Sequence, residues 1–176
     1  MNTVKSITAD SSARIQQASE SLGALLVEQK LSVTTAESCT GGLVAAAITA
    51  IPGASAYFNS GIVSYSNESK RRLLAVPARA LASHGAVSEA VVLAMAEGAR
   101  RRANAECSVA VSGIAGPDGG TADKPVGTVW IAWSIPVQHR TQTQAQRFEF
   151  SGDRDAIQQA AVVEALRGII TRLSVD

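Results

Sequence analysis

The stretch Leu31-Ser-Val-Thr-Thr-Ala-Glu-Ser-Cys-Thr-Gly-Gly42 constrains this chain most, because a β-branched run breaks into small polar residues and then two glycines. Val33, Thr34 and Thr35 favour extended backbone, Gly41 and Gly42 permit a tight turn, and Leu43 to Ile48 resumes as a helix. A strand over 32–36, a turn and a helix over about 40–50 follow one another, which places Ser38 where the strand stops. Strand–turn–helix units build α/β folds, whose ligands gather beyond the carboxyl ends of the strands. The N–H groups that open the next helix attract anions and developing oxyanions. Ser38 or Thr40 as a plain N-cap is the commoner use of a hydroxyl in this setting, and the stretch alone leaves both roles open.

Upstream, Ile15, Ala18, Leu22, Leu25 and Leu26 recur at helical spacing and predict an amphipathic helix over 11–30. Residues 1–10 show no period and are expected to be a mobile tail. Downstream, Pro52-Gly53 ends the helix, residues 57–65 read as a second strand with Gly61 at a bulge or close contact, and Ser66 to Lys70 opens a helix that stops before Pro77. Residues 78–82 read as one short helical turn, His84-Gly85 as a loop, and Ser88 as the cap of a long helix reaching about Ala103.

Cys107 to Ser112 is an apolar run of the kind a central strand needs when both its faces are buried. The glycine-rich connection that follows, through Lys124, is long for a compact domain, and such connections are usually functional. Strands over 126–134 and 144–150 come next. With no helical period between them they pair as a hairpin, so at least one strand runs antiparallel and the sheet is mixed. Asp153 or Asp155 caps a last helix striped by Val162, Val163, Leu166, Ile169, Ile170 and Leu173. Residues 11–176 thus read as one α/β domain with no repeat and no linker.

The 16 basic and 15 acidic residues leave a net charge of +1. That balance gives no electrostatic case for nucleic acid or an anionic membrane as a partner. The clusters Arg71-Arg72 and Arg100-Arg101-Arg102 read as solvated helix ends favoured by the macrodipole. Cys39 and Cys107 lie outside any C-x-x-C pair, and neither has a histidine at metal-ligand spacing, so a reducing compartment and no metal are expected. The N-terminus lacks a signal-peptide core and no apolar run spans a bilayer, so a cytoplasmic protein without a membrane partner is expected.

The common catalytic signatures are missing. No G-x-S-x-G elbow surrounds Ser38 or Ser112, and neither a P-loop nor a G-x-G-x-x-G fingerprint occurs. His84 and His139 are too few and too scattered for a serine triad. What remains at strand ends is a set of hydroxyls and one lysine: Ser38, Tyr65, Lys70 and Ser112. A serine becomes a nucleophile when a neighbouring base takes its proton, and lysine is such a base when its pKa is depressed. Lys70 at a helix start has a field that disfavours the ammonium, although a surface lysine beside Arg71 is the plainer reading. Consecutive N–H groups in Ser112-Gly113-Ile-Ala-Gly-Pro-Asp-Gly-Gly120 suit an anion. Arg154 suits a phosphate or carboxylate clamp, or a quieter pairing with Asp153 or Asp155.

Taken jointly, six blocks resemble the CinA C-terminal domain family: Thr35 to Gly42, Gly61 to Asn67 with Lys70, His84 to Glu89, Ser112 to Gly120, Lys124 to Trp130 and Phe150 to Arg154. They run in family order over roughly residues 15–172. The resemblance implies a three-layer α/β/α sandwich around a mixed, mostly parallel five-stranded sheet with one antiparallel strand. It implies hydrolysis of the carboxamide of nicotinamide mononucleotide to nicotinic acid mononucleotide and ammonia, in pyridine-nucleotide recycling, without a cofactor. Ser38 matches the nucleophile, Lys70 the base and Tyr65 a third active-site residue, while Ser112 and Arg154 match positions that assist catalysis or hold substrate. N–H groups near Thr40, Gly41 and Gly42 are then candidates for the oxyanion, and Gly113 lies in the substrate loop. Position 112 is serine where many relatives have threonine, which keeps the β-hydroxyl. A homo-oligomer is expected. The competing expectation is a nucleotide-binding or regulatory module without turnover, linked to competence or DNA damage.

Overall fold

A computed structural model describes residues 3–138 and 140–174. Five strands form one sheet: β1 (Val33–Glu37), β2 (Phe58–Val63), β3 (Cys107–Gly113), β4 (Thr128–Val137) and β5 (Arg140–Glu149), in the order β2-β1-β3-β4-β5. β1 pairs parallel with both β2 and β3, whereas β4 is antiparallel to β3 and to β5. Four strands therefore run one way and β4 alone runs the other, the mixed sheet that the sequence predicts. β3 carries nothing but buried residues up to Gly113, as its uninterrupted apolar run requires.

Helices cover both faces. α1 (Thr3–Gln29), α2 (Leu43–Thr49) and α6 (Arg154–Leu173) pack Leu22, Leu26, Val44, Ile48, Ile157 and Leu166 against one face. α3 (Asn67–Leu74), α4 (Ala78–His84) and α5 (Glu89–Ala103) pack Leu74, Leu81, Val92 and Met95 against the other. Each fully buried side chain of this size contributes about 2 kcal/mol through removal of apolar surface from water. The result is the α/β/α sandwich.

Several boundaries differ from the sequence reading. α1 begins at Thr3, inside the segment expected to be a tail. β2 ends at Val63, so Tyr65 lies past the strand rather than in it. Its pairing with β1 shifts register between Val33 and Thr35, which puts a bulge beside Gly61. α4 is longer than one turn and takes in His84. The β4–β5 hairpin closes at Gln138, with φ 54°, and the residue after it, His139, lies outside the described residues. β5 therefore starts four residues earlier than expected. Its first turnings, Thr141 to Gln144, are polar because β5 is a sheet edge with an exposed face, so no apolar alternation marks it. Asp153 caps α6 by accepting from Ala156 N at 2.9 Å.

Candidate active site

The site lies where β1, β2 and β3 end. Side chains alternate along a strand, so Ala36 packs among the α3–α5 residues while Val33 packs among those of α1, α2 and α6. Ser38, two residues past Ala36, faces α3. Ser66 opens α3 with a capping box, accepting from Ser69 N while Ser69 Oγ accepts from Ser66 N, and this fixes the first turn of the helix. Lys70, one residue further, is thereby aimed back into the sheet end.

Lys70 Nζ lies 2.9 Å from Ser38 Oγ and donates to Ser64 O at 2.6 Å. Lys70 is 1% exposed and Ser38 9%. Burial holds the Lys70 amine below the ordinary lysine range, because a charged form is costly to desolvate. The cause is desolvation rather than the helix terminus expected from the sequence. Cys39, beside the nucleophile, is buried as well, and burial pushes its thiol up to about 12. It stays protonated and does not compete with Ser38 as a nucleophile.

A cleft of about 260 Å³ opens over this pair, lined among others by Ser38, Tyr65, Lys70, Ser112, Gly113 and Arg154. Ser112 Oγ donates to Ala86 O at 2.8 Å and ties the end of β3 to the loop before α5. At the rim, Arg154 donates from Nη1 to Gly116 O at 2.7 Å and from Nη2 to the Tyr65 hydroxyl at 3.1 Å. Tyr65 is 63% exposed. The floor of the cleft is thus a buried Ser/Lys pair and its mouth an exposed Tyr/Arg pair. A larger cleft, about 490 Å³, lies between Trp133, Gln144 and Arg172 and holds none of these groups.

Thr40, Gly41 and Gly42 do not line the cleft. Neither Ser38 nor Thr40 caps α2; its N-cap is Gly42, in the left-handed region with φ 108°. Most donors of this turn are already engaged. Thr40 Oγ1 and the N–H groups of Gly42, Val44 and Ala45 all donate to the Glu37 carboxylate, and Gly41 N donates to Ser38 O. Glu37 is a site residue that sequence patterns did not single out. Its one signal was an acid closing an otherwise uncharged strand, 1% exposed once folded.

Across the cleft, the N–H groups of Ala115, Gly116, Asp118 and Gly119 have no acceptor among the described residues, as an anion-binding loop requires. No group of three or more His, Cys, Asp or Glu side chains is placed to hold a metal among the described residues. No described helix is long and apolar enough to cross a membrane.

The model of the CinA C-terminal domain matches residues 15–173. The chain belongs to that family. Among its CinA relatives, the nicotinamide-nucleotide amidohydrolase PncC of Escherichia coli K12 is 50% identical over 155 residues, covering 88% of this chain and 92% of that protein. PncC of Pseudomonas putida is 49% identical over 149 residues, 85% of this chain and 91% of that one. A putative competence-damage inducible protein of Symbiobacterium thermophilum is 51% identical over 156 residues, which cover 84% of this chain but 36% of that longer protein. A crystal structure of a CinA superfamily protein from Klebsiella pneumoniae superposes with a TM-score of 0.86 at 40% identity, covering 91% of this chain and 98% of that one. The competence/damage inducible protein CihA of Agrobacterium tumefaciens gives 0.87 at 39% identity, covering 92% and 96%.

Proposed function

We propose that this CinA-family chain is a nicotinamide-nucleotide amidohydrolase that works through a Ser38 acyl-enzyme with Lys70 as base. The observation that carries the reading is the buried 2.9 Å approach of Lys70 Nζ to Ser38 Oγ at the floor of a cleft. A binding protein has no use for a desolvated lysine against a serine, whereas a general base needs a depressed pKa and hydrogen-bond reach to the proton it takes. The PncC relatives, matched over nearly their whole length, supply the substrate class.

Neutral Lys70 accepts the Ser38 proton as Ser38 Oγ bonds to the carboxamide carbon. The tetrahedral oxyanion is held by backbone donors. With the N–H groups of Gly41 and Gly42 engaged, that of Cys39, which lines the cleft and has no acceptor among the described residues, is the one this turn offers. The Lys70 ammonium returns its proton to the departing nitrogen, and the C–N bond breaks to give ammonia and an ester on Ser38. Lys70 then takes a proton from water, whose oxygen bonds to the ester carbon. Collapse releases the nicotinate nucleotide and restores Ser38. These steps draw nucleophile and base from the chain alone. The open N–H groups of Ala115, Gly116, Asp118 and Gly119 and the Arg154 guanidinium suit the 5′-phosphate, with Ser112 shaping the wall between.

A cytoplasmic homo-oligomer is part of this proposal. Its compartment is supported by two free, buried cysteines. The reading is tested by ammonia release from nicotinamide mononucleotide, against free nicotinamide, with purified protein in chelator. Turnover of the nucleotide alone is expected. Binding of the nucleotide without ammonia would replace the enzyme with a nucleotide-binding module, and neither binding nor release would overturn the substrate.

A further inference from the structure

Glu37 takes no part in the steps above, yet it is the most heavily engaged carboxylate among the described residues. Oε2 accepts from Thr40 Oγ1 at 2.7 Å, Gly42 N at 2.9 Å and Val44 N at 3.1 Å, and Oε1 accepts from Ala45 N at 2.9 Å. It is 1% exposed, and no basic side chain pairs with it among the described residues. A buried carboxylate without a counter-ion is tolerated only where hydrogen-bond donors replace its water. Here those donors are one hydroxyl and the opening N–H groups of α2, whose terminus carries partial positive charge.

All four donors belong to residues 40–45, immediately after the nucleophile. The carboxylate therefore fastens the far side of the turn to the strand residue just before Ser38. Gly41 and Gly42, with φ 61° and 108°, let the backbone reverse tightly enough for this closure. Strand alternation divides the labour: Glu37 faces α2 and Ser38 faces Lys70 on α3. One residue of the pair fixes the turn and its neighbour does the chemistry.

We propose that Glu37 is a positioning residue, whose carboxylate holds the 38–42 turn so that Ser38 Oγ stays against the Lys70 amine. By filling the N-terminus of α2 it also removes that terminus as a place for substrate phosphate or oxyanion. The proposal rests on the Ser38/Lys70 reading and adds the residue that sets its geometry.

The test compares Glu37→Gln and Thr40→Val with wild type, each checked for folding by circular dichroism and thermal unfolding. Two rates are read: ammonia release from nicotinamide mononucleotide, and labelling of Ser38 by a sulfonyl fluoride, which needs no substrate. Glu37→Gln is expected to lower kcat and the labelling rate roughly 100-fold, as misplacement of a reacting group does, with KM within about 3-fold because α2 holds no substrate. Thr40→Val removes one of four bonds and keeps the charge, so a loss of about 10-fold is expected. Should Glu37→Gln fail to fold, Thr40→Val decides. Folded variants with both rates within about 3-fold of wild type overturn the proposal, as does a raised KM at unchanged kcat. A wild type that labels quickly but releases no ammonia overturns the substrate instead, and Glu37 is then judged by labelling. If wild type neither labels nor turns over, the nucleophile and the positioning role fall together.

Discussion

Lys70 carries the largest consequences of any one residue. Burial lowers its pKa below 10.5, so between the lowered value and 10.5 the unfolded chain still binds a proton that the folded chain has released. Stability due to this group therefore rises with pH across that window and is lost as pH falls through the folded pKa. Urea unfolding at pH 7 and pH 10 is expected to show wild type gaining on Lys70→Met as the pH rises. In the same window kcat/KM should climb along a limb whose midpoint lies below 10.5, and a limb at the ordinary lysine value would count against Lys70 as base. Ser38, Tyr65, Ser112 and Arg154 could be singled out in the sequence because each was expected near a strand end or a helix start, and the family resemblance supplied their roles, although Tyr65 falls two residues past the end of β2. Glu37 was not. Its partners are backbone N–H groups brought back by the turn, and backbone donors leave no trace in residue identity.

At the scale of elements, the seating of α3 on α5 supports the capped first turn that aims Lys70. Gly98 lies against the Leu74 carbonyl, where a Cβ has no room. Gly98→Ala is expected to push α5 away from α3, cost about 2 kcal/mol by overpacking, and lower kcat by moving Lys70, measured by urea unfolding beside the ammonia assay. An unchanged stability would mean that the contact relaxes freely. α5 and α6 could be read from their apolar stripes and caps, and β3 from its unbroken apolar run. β5 could not be bounded. Its outer half is a polar edge, Arg140 to Gln144, held by pairing with β4 rather than by an apolar pattern. The α2 boundary was misplaced for a related reason, since its cap is supplied by a side chain from the preceding strand and not by Ser38 or Thr40.

For the whole molecule, the sandwich does one thing for function: it brings the ends of β1, β2 and β3 together so that groups from residues 38, 65, 70, 112 and 154 line one cleft. The mixed α/β sheet followed from the sequence because strand and helix periods alternate along it, and the helix layers followed from the family resemblance. The convergence itself did not, since order along the chain says nothing of which loops meet. The proposed chemistry rests on the buried Ser38/Lys70 pair, and the most direct measurement is kcat for nicotinamide mononucleotide in Ser38→Ala, Lys70→Ala and the double variant. Each single change is expected to cost at least about 1000-fold, and the double no more than the worse single, as for residues that act as one unit. Ser38→Ala within about 10-fold of wild type, or losses that simply multiply, would contradict it.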